Sequence, residues 1–321
     1  MTAEIFQPYQ EGIFREGARH TYFLEYKLDF SQIDAVRQAI AKCLQSHPID
    51  EVVMARYPKE ALKVRTVVSF GKRAWKALAS DSKMPKDLKD FETLNGQQGH
   101  TSPSTQRDVF FWLQSDDFSV LYDQATWIQN QMKAVAELAF EQVGFNYYHS
   151  LDLMGFEDGT ANPKTDELRV AAAVIPEGEP GEGGSLVLSQ KWVHDMDNWS
   201  QVPLHCQEAI VGRTKLANEE LEGEMMPDDS HVSRTDLKVD GVAMKIFRRS
   251  SAFGNLSEKG LMFLAFGCEL RRFTTQLDSM FGLTEDGKID QIIRYSKAVT
   301  GSYWFAPSKK DLAEVFEAEG F

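Results

Sequence analysis

The sequence predicts an α+β protein in two halves, residues 1–150 and 151–321, each an antiparallel sheet with helices packed on it. Three observations predict it. Segments that alternate apolar and polar residues, as strands do, are interleaved with segments whose apolar residues recur every three to four positions, as helices do. The chain has 321 residues, more than one hydrophobic core comfortably serves. The same rhythm of elements runs before and after residue 150, without a detectable repeat of the sequence itself.

Taken in order, "HTYFLEYKLDF" (20–30) alternates as a strand does. In "SQIDAVRQAIAKCLQ" that follows, Ile33, Val36, Ile40, Cys43 and Leu44 share one helical face, and Ser31 with Asp34 gives a start signal. "VRTVVSFG" (64–71) is a second strand, "KRAWKAL" opens a helix, and the polar stretch 94–107 is a loop. "DVFFWLQS" (108–115) is a strand, and Val120 to Phe140 reads as one long amphipathic helix. In the second half, "AAAVIP", "GSLVLSQKWV", "AMKIFRRS" and "GLMFLAFGCEL" read as strands. "RFTTQLDSMFG" reads as a helix, residues 195–211 as mixed helix and loop, and "PEGEPGEGG" as a solvated connection. This order allows a split βαβ, ferredoxin-like layout in each half, with the helices segregated over the sheet.

Composition excludes several classes. A net charge of −13 sets nucleic acid and anionic membrane aside as partners. No apolar run approaches the roughly 20 residues of a membrane span. The N-terminus shows neither an apolar signal region nor a twin arginine, and the three cysteines, Cys43, Cys206 and Cys268, are odd in number and far apart. These features lead us to expect a cytoplasmic protein.

The stretch "LMGFEDGTANP" (153–163) poses the functional question. Asp-Gly and Asn-Pro are turn punctuation, and Gly155 and Gly159 suit positive φ, so a plain turn is one reading. A phosphatase-type DxDGT loop is a second, but its nucleophile would stand at Phe156, which has none to offer. The third reading, a peroxidase acid working above a haem, needs an iron ligand elsewhere. Seven histidines are available: His20, His47, His100, His149, His194, His205 and His231. None forms HExxH or a clustered pair. A lone histidine suffices for haem, whereas zinc asks for three or four protein ligands. His231 is followed by a connection of mixed charge and a strand that ends in the pair Arg248–Arg249.

Taken together, "GFEDGTANP", "HVSRTDLKVDG", "KIFRRSSAFG" and "AVTGSYWFAPS", with "QPYQEGIFREGARHTYFLEYKL", "VVSFGKRAWKAL" and "STQRDVFFWLQS" upstream, resemble the dye-decolourising peroxidases, most of all their compact bacterial type B subgroup. The likeness spans about residues 7 to 308. It implies two ferredoxin-like halves in a dimeric α+β barrel-like arrangement, with one haem b in the C-terminal half. It implies His231 as the axial iron ligand, Asp158 as the distal carboxylate and Arg248 as the distal arginine, with Gly159, Thr160 and Ser250 beside the cofactor. Asp290 matches the acid behind the ligand histidine, with Asp286 a close competitor. Arg249, next along a strand, should point the other way and be structural, and Glu157 reads as solvent-facing or structural.

The implied reaction is reduction of hydrogen peroxide with one-electron oxidation of phenolic or dye-like donors. An ionised carboxylate would move a proton between the peroxide oxygens, and a guanidinium would stabilise the departing charge. Two departures stand out. Ser250 occupies a place where some relatives carry Asn. The tail "KKDLAEVFEAEGF" is short, so no nanocompartment partner is expected. Relatives commonly form dimers or larger rings, so a homo-oligomer is expected. Tyr295, Tyr303 and Trp304 are candidates for carrying electrons, with burial in the core the competing explanation. Two alternatives stay open: a haem-handling protein using the same pocket, and a small-ligand binding protein without haem, in which Asp158 is only a turn residue.

Overall fold

The computed structural model describes residues 8–57, 62–148 and 150–317; His149, Gln7 and the last four residues of the tail lie outside them. The N-terminal strands are β1 (His20–Leu28), β2 (Arg65–Phe70), β3 (Val109–Ser115) and β4 (Ala136–Phe145), with helices α1 (Ile33–Cys43) and α2 (Phe118–Met132). Their order in the sheet is β4-β1-β3-β2, antiparallel throughout. That is the split βαβ arrangement expected from the rhythm of the sequence. The second half repeats it with β5 (Ser185–His194), β6 (Ser251–Gly254), β7 (Lys259–Gly267) and β8 (Ser302–Ala306) in the order β6-β7-β5-β8.

The two sheets do not stay separate. Phe145 of β4 pairs with Ala252 of β6, and Phe70 of β2 pairs with Phe305 of β8. Eight strands thereby close into a ring, which removes the open edges that each half would expose alone. The strand alternation then has two insides to fill. Phe110 and Trp112 of β3 join Phe23, Val67, Val187, Leu264, Phe266 and Trp304 in one cluster within the ring. Val109, Phe111 and Leu113 join Val36, Ile40, Ile128, Phe273 and Leu277 in another, under the helices. A carboxylate also sits within the buried ring strands: Glu25, whose proton affinity burial pushes up to about 8.

Four expectations need correction. The long helix stops at Met132, and residues 136–145 become β4, because β1 offers nine residues of unpaired edge that only a strand can satisfy. The alanines of "AAAVIP" close helix α3 (Asp166–Ala173), whose start is capped by the Thr165 side chain accepting from Leu168 N. Helix α1 has no side-chain cap of its own; Asp29 caps the turn Phe30–Gln32 that leads into it, accepting from Ser31 N at 3.0 Å, so Ser31 is not the start signal. In "AMKIFRRS" residues 244–246 are not strand: Ala243 ends the two-residue strand Val242–Ala243, and Phe247–Arg248 continues into β6 in one register against β7, with Arg249 N donating to Leu264 O.

Candidate active site

A cavity of about 1480 Å³, counting its open mouth, lies in the second half. Apolar residues of β5 and β7 (Leu188, Trp192, Leu261, Phe263) line it with Phe273, Leu277 and Met280 of α6 (Arg271–Met280). His231, Asp158, Gly159, Thr160 and Arg248 line the same space. Residues as far apart in the chain as Asp158 and Met280 thus meet at one apolar pocket, the usual form of a small-molecule site.

His231 opens the short helix α5 (His231–Thr235), capped by Ser230, whose Oγ accepts from Ser233 N. Its Nδ1 lies 2.7 Å from Oδ2 of Asp290, a residue with no solvent exposure. The other Asp290 oxygen accepts from Ile292 N at 3.0 Å and caps the turn that follows. An acid held from both sides fixes the imidazole so that Nδ1 donates and Nε2 is left as a free ligand atom. The competitor, Asp286, is engaged elsewhere: it takes a two-pronged pair from Arg234, one turn along α5 from His231, and holds that helix to the 284–286 turn. Those contacts keep the Asp286 carboxyl well below the usual carboxylate range.

The acid's loop is built from its own backbone. Gly155 and Gly159 take φ of 89° and 79°, which a side chain would strain. Asp158 N donates to Ser150 O, and Asp152 Oδ1 accepts from Phe156 N. Asn162, which the sequence offered only as punctuation, joins the loop to the arginine strand. Its Nδ2 donates to Arg248 O and its Oδ1 accepts from Arg248 N, both at 2.9 Å. Glu157 is exposed and accepts from Asn218 Nδ2. Arg249 points into the ring as expected, donating to the carbonyls of Ile13 and Arg15 and stacking on Trp112.

Ser250 lines a second, polar cavity of about 1190 Å³, counting its open mouth, which shares Asp158, Gly159, Thr160 and Arg248 with the apolar one. Tyr303 and Trp304 are core residues at 3% and 0% exposure, so of the three aromatics only Tyr295 is partly exposed; it packs on Trp199.

Three residues escaped sequence reasoning: Asn162, His194 and Asp152. Asp152 and His194 also line the cavity. Burial, and after it the charge of Asp158, push the Asp152 carboxyl up to about 6. The signal for Asp152 was present as an acid at the start of a glycine loop. Its raised proton affinity costs stability. The cost is absent below the unfolded value near 4, grows between 4 and 6, and is complete above 6. Asp152→Asn keeps an acceptor for Phe156 N and should therefore raise the melting temperature of the cofactor-free protein at pH 7 but not at pH 4. Equal shifts at both pH values would refute the burial cost.

The residues fit haem. They offer His231 with its Nδ1 held by Asp290, apolar walls, and an acid with an arginine in the same space. Among the described residues no group of three or more His, Cys, Asp or Glu could hold a bare metal ion. A paired antiparallel ring with such a pocket defines the class of haem peroxidases built on two ferredoxin-like halves. The family models described as Dyp-type peroxidase, N-terminal and C-terminal, match residues 10–146 and 149–311, and the chain belongs to the Dyp-type peroxidase family. A dye-decolorizing peroxidase of Rhodococcus erythropolis is 31% identical over 89% of this chain and 83% of its own. The crystal structure of a dye-decolorizing peroxidase from Bacteroides thetaiotaomicron superposes with a TM-score of 0.85 at 28% identity, covering 97% of this chain and 99% of that one. A variant of Rhodococcus jostii RHA1 DypB, in complex with heme, gives 0.85 at 30% identity, covering 95% and 98%.

Proposed function

We propose that this peroxidase holds haem b through His231 and works on hydrogen peroxide with Asp158 and Arg248. The carrying observation is that these three side chains, far apart in sequence, line one cavity, with Asn162 tying the acid's loop to the arginine's backbone. When bound, haem supplies the redox iron at which peroxide is reduced by two electrons. Overall, one peroxide and two one-electron donors, each giving a hydrogen atom, yield two waters and two donor radicals. Asp158 takes the proton from the inner peroxide oxygen and returns it to the outer one. Arg248 stabilises the charge that gathers on the departing oxygen. Asp290 accepts from the His231 ring and makes it a more basic ligand.

The donors in this proposal are phenolic or dye-like, and of Tyr295, Tyr303 and Trp304 only Tyr295 has the solvent access to pass electrons inward. Three free cysteines support a cytoplasmic setting. The division near residue 150 is supported by the four-strand unit on either side of it. A homo-oligomer, dimer or larger, is inferred from the family likeness. Among the described residues no helix is long and apolar enough to cross a membrane. A haem-handling role is not favoured, since binding alone leaves the acid and arginine without work. Hemin-loaded protein should oxidise a phenolic donor only when peroxide is supplied; peroxide-independent turnover, or none, would end this reading. Asp290→Asn keeps the cap on Ile292 N but removes the charge, and should weaken hemin binding about 10- to 100-fold in a spectral titration.

A further inference from the structure

One polar side chain in the cavity wall has no part in this chemistry. His194 ends β5 at 8% exposure and lines the cavity with Leu188, Gln190 and Trp192 of the same strand face. Its Nδ1 is 2.8 Å from Ser296 Oγ, and its Nε2 is buried without a hydrogen-bond partner among the described residues. The neighbouring polar groups are satisfied: Trp192 Nε1 donates to Gln190 Oε1 at 3.3 Å, and Gln190 Nε2 to Ser102 Oγ at 2.8 Å. A buried ring nitrogen left open is costly and rare in a native wall. It points to a partner that arrives with the ligand. A lone water would need two to four polar partners, and beside apolar Leu188 and Trp192 that strand face offers only Gln190, already engaged with Trp192 and Ser102.

Burial pushes the His194 imidazole down to about 4, so at neutral pH it carries one N–H and no charge. The Ser296 hydroxyl can donate or accept, so the partner of Nε2 decides the tautomer. A metallated tetrapyrrole has no N–H left to give, while its ionised edge carboxylates only accept. Resting on the haem reading above, we propose that His194 is a second anchor for the cofactor, with Nε2–H donating to a haem carboxylate and Ser296 donating to Nδ1.

The test is the rate at which hemin leaves the loaded protein for an excess of an apo-globin acceptor. His194→Leu should release hemin roughly tenfold faster, the equivalent of one net hydrogen bond of about 1.4 kcal/mol. His194→Gln, whose amide still donates, should recover most of the loss. With the dimethyl ester of haem the difference between His194→Leu and the parent should shrink to nothing. In the cofactor-free protein His194→Leu should melt no lower than the parent, because an orphaned group has been removed. Nitrogen-15 spectra should show Nε2–H in the loaded state. Equal release from all three proteins, or an unchanged Leu effect with the ester, would overturn the anchor. A parent protein that binds no hemin would instead overturn the haem reading.

Discussion

His231→Ala is expected to abolish tight haem binding. The Soret band that the parent should develop on titration with hemin would be weak or displaced, and affinity should fall by more than about 100-fold, beyond what losing a supporting hydrogen bond costs a metal site. The reason is geometric. His231 opens α5, and Arg234 on the same helix is held by Asp286 and Thr284, so the ring is presented from an anchored turn. Asp290, fully buried, holds Nδ1 and leaves only Nε2 for iron. The same change strips Asp290 of one of its two partners and should lower the stability of the cofactor-free protein by about 1–3 kcal/mol. Imidazole added to the variant should restore part of the band. Normal binding by His231→Ala would rule out the ligand assignment.

The second large effect concerns the rate at which hemin-loaded protein reacts with peroxide. Asp158→Ala and Arg248→Leu should each lower that rate by roughly 10²–10⁴-fold in stopped-flow absorbance, the range for a positioned proton carrier and a charge stabiliser. Hemin affinity should change far less in Asp158→Ala, which removes no ligand. The two side chains sit on segments joined by the Asn162 clamp, so they should behave as a unit, and the double variant should lose less than the product of the single losses. Rates unaffected by both changes would eliminate the proposed proton path.

How much of this was legible beforehand varied with the range of the interaction. Short alternating strands such as 109–115 and the helical face of 33–43 follow from local periodicity, and they formed where expected. Residues 133–140 did not, since "KAVAELAF" suits either period and only the open edge of β1 decided for a strand. Acid chemistry was visible in the glycine loop, and the family pattern favoured Asp290 over Asp286, but nothing in the local sequence gave a physical reason for that preference. Both stand within a few residues of each other, and which one meets His231 depends on where Arg234 points. Asn162 looked like loop punctuation because its partner, the backbone of Arg248, lies 86 residues away. His194 looked like any other lone histidine, since an unpartnered nitrogen becomes visible only when the wall around it is built.

By itself, the sequence determined the class of elements, the ferredoxin-like order within each half, and the acid, histidine and arginine that the family pattern singles out. These depend on period, composition and motif order, which are local properties of the chain. The folded chain adds that the two sheets close into one ring, that Asp290 meets the His231 ring while Asp286 is held by Arg234, and that Asn162 ties the acid's loop to the arginine. Each of these depends on contacts between distant residues, where the unmet hydrogen bonds of a sheet edge, a buried acid or an amide select a partner that no local pattern names.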